Sequence, residues 1–277
     1  MVGAQHKTED SAGDFLALTS KISRDRGFGC ANYKDRCLRR RIAVRMRARG
    51  VHTYAEYARV LDNDAAEYDR LIDALTINVT KLFRNWDVYA SIAAHVVPPL
   101  FRRELPSIRV WSAGCSSGDE PYSLAILFHR FAATNGMLAQ IGRVRILGTD
   151  IDRRCLEAAA LGQFEEGDFT ETPPELRQRY FTASEPFTVA PSIRSLVRFE
   201  SRDLLSEHAP PGQHDLIVCR NVLIYFDRDT QERLFDTFHQ ALAPGGFLVL
   251  GKVETLLGRS RSNFAAVDAR ERIFRKL

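Results

Sequence analysis

Cysteine is scarce and unpatterned. Five residues (Cys30, Cys37, Cys115, Cys155, Cys219) are spread over 277 positions, an odd number with no CxxC pair. That excludes a disulfide framework and fits reduced, mostly buried thiols. The seven histidines are scattered, with neither HExxH nor a Cys/His cluster at zinc spacing, so no metal site is expected. No stretch approaches the roughly 18 unbroken apolar residues of a membrane-spanning helix, so no direct membrane insertion is expected. Met1 to Asp14 is polar and lacks the apolar core of a secretory signal. Together these absences predict a protein that works in the cytoplasm. Internal repeats and low-complexity tracts are also missing. With 45% apolar and 27% charged residues, wholesale disorder and fibrous repeats are excluded. The length suits one large domain or two modest ones.

Charge is present but unevenly placed. Lys34 to Arg49 holds eight cations (Lys34, Arg36, Arg39, Arg40, Arg41, Arg45, Arg47, Arg49) against the single acid Asp35, a local charge of +7. The whole chain carries +4, so everything outside this segment sums to −3. One local feature makes the protein basic.

The first part of the chain reads as short helices. Leu38, Ile42 and Met46 sit four apart on one helical stripe. Thr53, with Glu56 at the capping-box position, starts a helix carrying Tyr54, Tyr57, Ala58 and Leu61. Another follows Asp64, with Tyr68, Leu71, Ile72 and Leu75 on its inner side. No strand-like alternation occurs before about residue 105.

The pattern then changes. Strands are predicted at Ile108 to Ala113, Val144 to Thr149, Leu216 to Cys219 and Phe247 to Leu250. Helices at Asp119 to Ala133, Asp152 to Leu161 and Asp229 to Leu242 alternate with them. Such alternation predicts a mostly parallel sheet covered by helices. Phe264 to Val267 and Arg272 to Arg275 read as a closing antiparallel hairpin. Gln163 to about Arg202 carries Pro173, Pro174, Pro186 and Pro191 around short apolar runs at Phe187 to Val189 and Leu196 to Phe199. This segment is predicted to be a small β-rich insertion between a helix and the next sheet strand.

The turn Gly114-Cys-Ser-Ser-Gly118 lies between a strand and a helix and admits two chemistries. As GxSxG it matches a nucleophile elbow with Ser116 exposed. That reading needs a histidine in a loop after a late strand, and none follows Gly245. As a glycine loop it lets a cofactor approach the backbone at the carboxyl end of a strand. Asp150, at the end of the next strand, can then accept both hydroxyls of a ribose. It lies 36 residues past Gly114, farther than the roughly 20 of a dinucleotide fingerprint, and the third glycine of GxGxxG is missing. NAD is therefore disfavoured, and S-adenosylmethionine, which has no pyrophosphate to cradle, fits better. A plain surface turn beside a helix-capping aspartate is the remaining alternative.

Several segments, in order, resemble one family, the CheR-type chemotaxis-receptor methyltransferases. They are Leu38-Arg-Arg-Arg-Ile42 with Arg45-Met46, Ile77-Asn-Val-Thr-Lys-Leu-Phe-Arg84, Ala113-Gly-Cys-Ser-Ser-Gly-Asp-Glu-Pro-Tyr-Ser123, Gly148-Thr-Asp-Ile-Asp152 and Cys219-Arg-Asn-Val-Leu-Ile-Tyr-Phe226. The resemblance implies an all-α N-terminal domain (1–85), then a Rossmann-like class I methyltransferase domain (86–277) with an inserted antiparallel β-subdomain at about 163–202. It also implies methyl transfer from S-adenosylmethionine to glutamate side chains of chemoreceptor cytoplasmic helices, leaving S-adenosylhomocysteine. Carried over by motif position, Asn78, Thr80, Arg84, Gly114, Glu120 and Asp150 would bind the cofactor. Asp203-Leu204 would flank the adenine, and Arg220 with Asn221 would close the pocket. Tyr225 and Arg84 would orient the reacting groups. The alternatives for Asn78 and Thr80 are helix-capping roles, and for Tyr225 a core position.

Some positions depart from the family's usual wording. Leu82 replaces a phenylalanine, Asp119 a glutamate, and Gly251-Lys-Val-Glu254 lacks the usual His-Ser. The short Ala183-Ser-Glu-Pro186 turn replaces a longer Gly-x-Gly hairpin with which some members dock a receptor-tail peptide, so no such tether is expected here. The basic segment, through Arg39, Arg40, Arg41, Arg45 and Arg47, would steer acidic receptor helices. A solvated helix face and nucleic-acid binding are its alternatives. No aromatics interleave the arginines as single-strand binders require, so no nucleic-acid partner is expected. For the whole chain, the competing expectation is a cofactor-binding regulatory module, or a methyltransferase with another acceptor.

Overall fold

The computed structural model describes residues 3–76, 78–103, 105–205 and 208–277. The chain divides into two compact units. The first comprises Met1–Ile77 with Tyr225–Thr230, and the second Asn78–Ile224 with Gln231–Leu277. Ile77, the first residue of one sequence motif, lies outside the described residues.

Four helices build the first unit: α1 (Gly3–Arg26), α2 (Asp35–Ala48), α3 (Tyr54–Asn63) and α4 (Ala65–Leu75). Their apolar stripes meet in one core of Phe15, Leu18, Ile22, Leu38, Ile42, Met46, Tyr57, Leu61, Tyr68, Leu71 and Leu75. The stripe predicted for α2 is the face that is buried. Thr53 and Glu56 close a capping box at the start of α3, each side chain accepting a backbone N–H of the other. Asp64 caps α4 by accepting the Glu67 N–H at 3.0 Å.

The second unit opens with α5 (Trp86–His95) and α6 (Val97–Arg102), then alternates strands and helices. In order come β1 (Ile108–Ala113), α7 (Asp119–Thr134), β2 (Val144–Asp150), α8 (Arg153–Leu161) and β3 (Gln163–Phe164). There follow α9 (Pro174–Tyr180), β4 (Phe187–Thr188), α10 (Pro191–Arg194), β5 (Val197–Ser201) and β6 (His214–Cys219). The unit ends with α11 (Arg228–Ala241), which begins inside Tyr225–Thr230 of the first unit, then β7 (Leu242–Leu250), β8 (Phe264–Asp268) and β9 (Ile273–Lys276). Seven strands form one sheet in the order β5-β2-β1-β6-β7-β9-β8. The first five run parallel, and β9 runs antiparallel to both β7 and β8. The chain winds outward from β1 to β5, then returns to β6 on the other side of β1. The carboxyl ends of β1 and β6 thus flank the point where the winding reverses, the place where open α/β sheets bind ligands. This is the Rossmann-like architecture the sequence predicts, preceded by an all-α unit. Helix α7 is buried along most of its length, which explains why its sequence is apolar nearly all round. Among the described residues, no helix is long and apolar enough to cross a membrane.

Two expectations need correction. Residues 78–85, grouped with the helices from sequence, pack in the second unit. Leu82 and Phe83 are fully buried in its core, and the Phe83 N–H donates to Ser123 Oγ at 2.9 Å. The insertion carries the small antiparallel sheet expected of it, but one of its two apolar runs belongs elsewhere. Only β3 and β4 form a separate antiparallel pair, Gln163 facing Thr188 and Phe164 facing Phe187. The run at Leu196 to Phe199 instead leads into β5, the parallel edge strand beside β2. An edge strand has less of its surface buried, so it reads as a short alternating run. Pro174 and Pro191 occupy the first positions of α9 and α10, where a missing N–H costs nothing.

Candidate active site

The glycine turn after β1 is fixed by its surroundings. Gly114 has φ of 78°, and a Cβ there would lie 2.6 Å from Val222 Cγ2 in the loop after β6, so only glycine fits. The N–H groups of Gly114 and Cys115 donate to the Thr149 carbonyl at 2.8 and 3.0 Å. Asp150 ties this turn to its own: Oδ2 accepts the Ser116 N–H at 2.8 Å and Oδ1 the Asp152 N–H at 3.0 Å. Burial raises the Asp150 carboxyl above the ordinary value, and those two N–H groups oppose the shift.

Asn78 joins the same edge by donating from Nδ2 to Asp152 Oδ2 at 2.6 Å. Asp152 also caps α8, accepting the N–H groups of Arg154 and Cys155. Although burial pushes this carboxyl up, the bonds from Cys155 and Asn78 outweigh it and hold the group below the usual range. At the end of β5, Asp203 Oδ1 accepts the Leu205 N–H at 2.8 Å, and Asp203 and Leu204 are half-buried. The Arg202 N–H donates to the Asp150 carbonyl at 2.9 Å, which brings the β5 and β2 ends together.

Glu120, one residue into α7, has Oε1 bound by the Ser112 hydroxyl at 2.8 Å and Oε2 at 3.6 Å from Arg220 Nη1. Burial raises this carboxyl and Arg220 counteracts. Arg220 also donates from Nη2 to the Arg84 carbonyl at 2.8 Å and to Asn85 Oδ1 at 3.2 Å. Its guanidinium lies 5.3 Å from the Tyr89 ring centroid. Its Nε is buried without a hydrogen-bond partner, an unmet donor such as a polar ligand would satisfy. Asn221 follows with φ of 61°. The Arg84 side chain donates from Nη1 to the Val79 carbonyl at 2.8 Å, and Thr80 is half-buried.

The structure therefore gathers Asn78, Gly114, Glu120, Asp150, Arg220 and Asn221 at the carboxyl ends of β1, β2 and β6, with Asp203 and Leu204 at the end of β5. Tyr225 belongs to the first unit. Its carbonyl accepts the Lys34 N–H at 2.9 Å, and the Arg41 guanidinium lies 5.9 Å from its ring centroid.

The basic segment splits into two populations. Arg45 makes a paired bond to the fully buried Glu67, Nε to Oε1 at 2.9 Å and Nη2 to Oε2 at 2.6 Å. Arg41 donates to the Ala74 carbonyl at 2.7 Å, and Arg39 lies 3.8 Å over the Phe15 ring. Arg36, Arg40 and Arg47 are exposed. At i, i+4 and i+11 they share one face of α2 within roughly 40°, along about 16 Å of helix.

Sequence reasoning named Glu254 but left it out of the candidate site. It is buried, and it accepts backbone N–H groups from the loops after both β6 and β7. Its signal was the last position of the motif Gly251-Lys-Val-Glu254, to which the sequence assigned no role.

Comparison with known proteins identifies the family. Residues 78–273 match the family described as CheR methyltransferase, SAM binding domain, and residues 13–76 match CheR methyltransferase, all-alpha domain. The chain is 33% identical to the chemotaxis protein methyltransferase of Listeria monocytogenes, over 92% of this chain and 95% of that protein. It is 34% identical to that of Salmonella typhimurium, over 87% and 83% respectively. A 104.1 kDa protein of Rhodobacter capsulatus is 35% identical over 89% of this chain, a match that takes up 26% of the larger protein. The chain belongs to the CheR methyltransferase family and is an S-adenosylmethionine-dependent methyltransferase.

Proposed function

We propose that this enzyme methylates glutamate side chains on acidic cytoplasmic helices of chemoreceptors, forming γ-glutamyl methyl esters, and that it does so in the cytoplasm. The observation that carries the choice of acceptor is the exposed line Arg36, Arg40, Arg47 on α2. A line of positive charge suits an acidic helix, and it accelerates encounter more than it tightens the final complex.

The residues present fit the cofactor. Asp150 offers a carboxylate for the ribose diol, Glu120 a half-buried acid near the glycine turn, and Arg220 an unsatisfied donor. Asn78, Thr80, Arg84, Asp203, Leu204 and Asn221 complete the proposed binding set. When bound, the cofactor supplies an electrophilic methyl group on a sulfonium.

The acceptor glutamate is ionised at neutral pH, with an ordinary pKa of about 4.3, so no general base is required. A carboxylate is nevertheless a weak, strongly hydrated nucleophile. The protein's work is to strip water from it and hold its oxygen in line, where orientation contributes up to roughly 7–11 kcal/mol in well-aligned systems. Charge is lost as carboxylate meets sulfonium, so a dry site favours the reaction. Arg84 and Tyr225 are assigned this orienting role.

The test is to incubate the protein with methyl-labelled S-adenosylmethionine and chemoreceptor-containing membranes, then release methanol with base. Base-labile label in the receptor band is the expected result. Cofactor binding without such label would move the enzyme to another acceptor.

A further inference from the structure

Two loops of the second unit are held by one buried charge. Glu254, 4% exposed, follows β7 by four residues. Its Oε2 accepts the Gly251 N–H at 2.6 Å and the Asn221 N–H at 3.1 Å. Its Oε1 accepts the Ile224 N–H at 3.3 Å. The first bond closes the turn after β7, and the other two grip both ends of the segment 221–224 after β6.

That segment is conformationally demanding. Asn221 is left-handed, with φ of 61°, a region that non-glycine residues enter at some cost. Val222 then packs where any Cβ on Gly114 would lie. Gly251 is equally constrained: a Cβ there would meet Glu254 Oε2 at 2.7 Å and the Asn221 N at 2.9 Å. Glycine at 251 and glutamate at 254 thus form one device that lets a carboxylate reach across to the neighbouring loop.

We infer that Glu254 is a positioning residue for the cofactor site, its carboxylate setting the path of the loop that presents Arg220 and Asn221 to the ligand. This rests on the methyltransferase reading above and extends it to a residue that acts through the loops it holds. An ionised carboxylate is all acceptor, so it can take three converging N–H donors. An amide of the same size must point its own NH2 at one of them. Burial raises the Glu254 carboxyl, and the N–H groups of Gly251, Asn221 and Ile224 pull it back.

The test compares Glu254→Gln with Asp215→Asn. Asp215 is a buried carboxylate (5% exposed) near the opposite end of β6, accepting the Arg109 N–H at 2.9 Å. Glu254→Gln is expected to weaken S-adenosylhomocysteine binding, measured by calorimetry, about tenfold to a hundredfold, with KM for the acceptor unchanged. Asp215→Asn is expected to stay within about twofold. Binding by Glu254→Gln within about twofold of the unmodified protein overturns the inference, as does an equal loss in both variants. Should Glu254→Gln not fold, Gly251→Ala separates the same contact by its Cβ and should show the same loss.

Amide hydrogen exchange of the unmodified protein decides the matter independently. Asn221 and Ile224 should exchange as slowly as the amides of β6, and exchange at exposed-loop rates would refute the clamp. If the unmodified protein fails to bind S-adenosylhomocysteine, the methyltransferase reading falls. The exchange of Asn221 and Ile224 still reports on the clamp.

Discussion

The pairing of Arg45 with Glu67 gives the sharpest prediction, because it separates arginines that composition treats alike. Glu67 is fully buried, and its carboxylate is met by two bonds from Arg45 and by the Tyr57 hydroxyl at 2.9 Å. Replacing Arg45 with methionine keeps the aliphatic stem but leaves a buried charge short of its cation. Breaking a buried pair in this way costs about 3–5 kcal/mol. The Arg45 side chain is 20% exposed, and Arg70 remains 3.9 Å from Glu67. Solvent and that second cation recover part of the loss, so Arg45→Met should cost about 2–4 kcal/mol. Arg47→Met, on the exposed face, should stay within about 0.5 kcal/mol. Pairing Arg45→Met with Glu67→Leu should restore most of the stability, since neither charge is then left alone. Urea unfolding followed by far-ultraviolet circular dichroism reads all three. Equal effects at 45 and 47, or a neutral Arg45→Met, would refute the division of the basic helix. The pH dependence has a definite sign. Burial tends to raise the Glu67 carboxyl, but the bonds from Arg45 and Tyr57 overcome this and leave it lowered. Its contribution is therefore present at neutral pH and lost as pH falls below the ordinary glutamate value.

Three further predictions concern the second unit and Tyr225. His214 is buried against Trp111, and burial lowers its pKa to about 4, whereas burial raises Asp119 to about 6. As pH rises between about 4 and 6, the histidine adds stability and the aspartate removes it, each by about 3 kcal/mol over its full titration. In the unmodified protein these two contributions oppose each other across that window. Relative to the unmodified protein, the slope of stability with pH should shift downward in His214→Leu and upward in Asp119→Asn. Urea titrations read by tryptophan fluorescence check this, and parallel slopes in the two variants would contradict it. Gly114→Ala should weaken S-adenosylhomocysteine binding at least about tenfold by displacing Val222, and unchanged calorimetric affinity would count against the glycine turn as the cofactor loop. Tyr225→Phe should lower turnover while cofactor affinity holds; parallel loss of both would remove its orienting role.

Much of this was legible because local rules governed it. The α2 stripe of Leu38, Ile42 and Met46 and the capping box of Thr53 and Glu56 depend on neighbours three or four residues away. The strand–turn–helix around Gly114 and the closing hairpin are equally local. What escaped was set by distant partners. Residues 78–85 carry no helix or strand period, and their place is decided by Leu82 and Phe83 entering the core of the second unit. The prolines of the insertion read as strand-breaking turns, whereas two of them start short helices. Nothing in the spacing of the arginines says that Arg45 faces a glutamate 22 residues onward. Glu254 is similarly tied to a loop 30 to 33 residues before it.

Six residues, Tyr225–Thr230, group with the helical unit although the chain on both sides of them groups with the methyltransferase unit. The Asn32 carbonyl accepts the Asp227 N–H at 3.0 Å, Tyr33 and Phe226 meet edge to face, and Lys34 donates its N–H to the Tyr225 carbonyl. The consequence is one of heredity and recombination. A gene cut between the two units would separate this tyrosine-bearing turn from Asn32, Tyr33 and Lys34. A foreign helical unit could replace the native one only if it brought a segment matched to 225–230. Moving both units as a single cassette keeps that turn with its partners, and moving one alone leaves the turn without them.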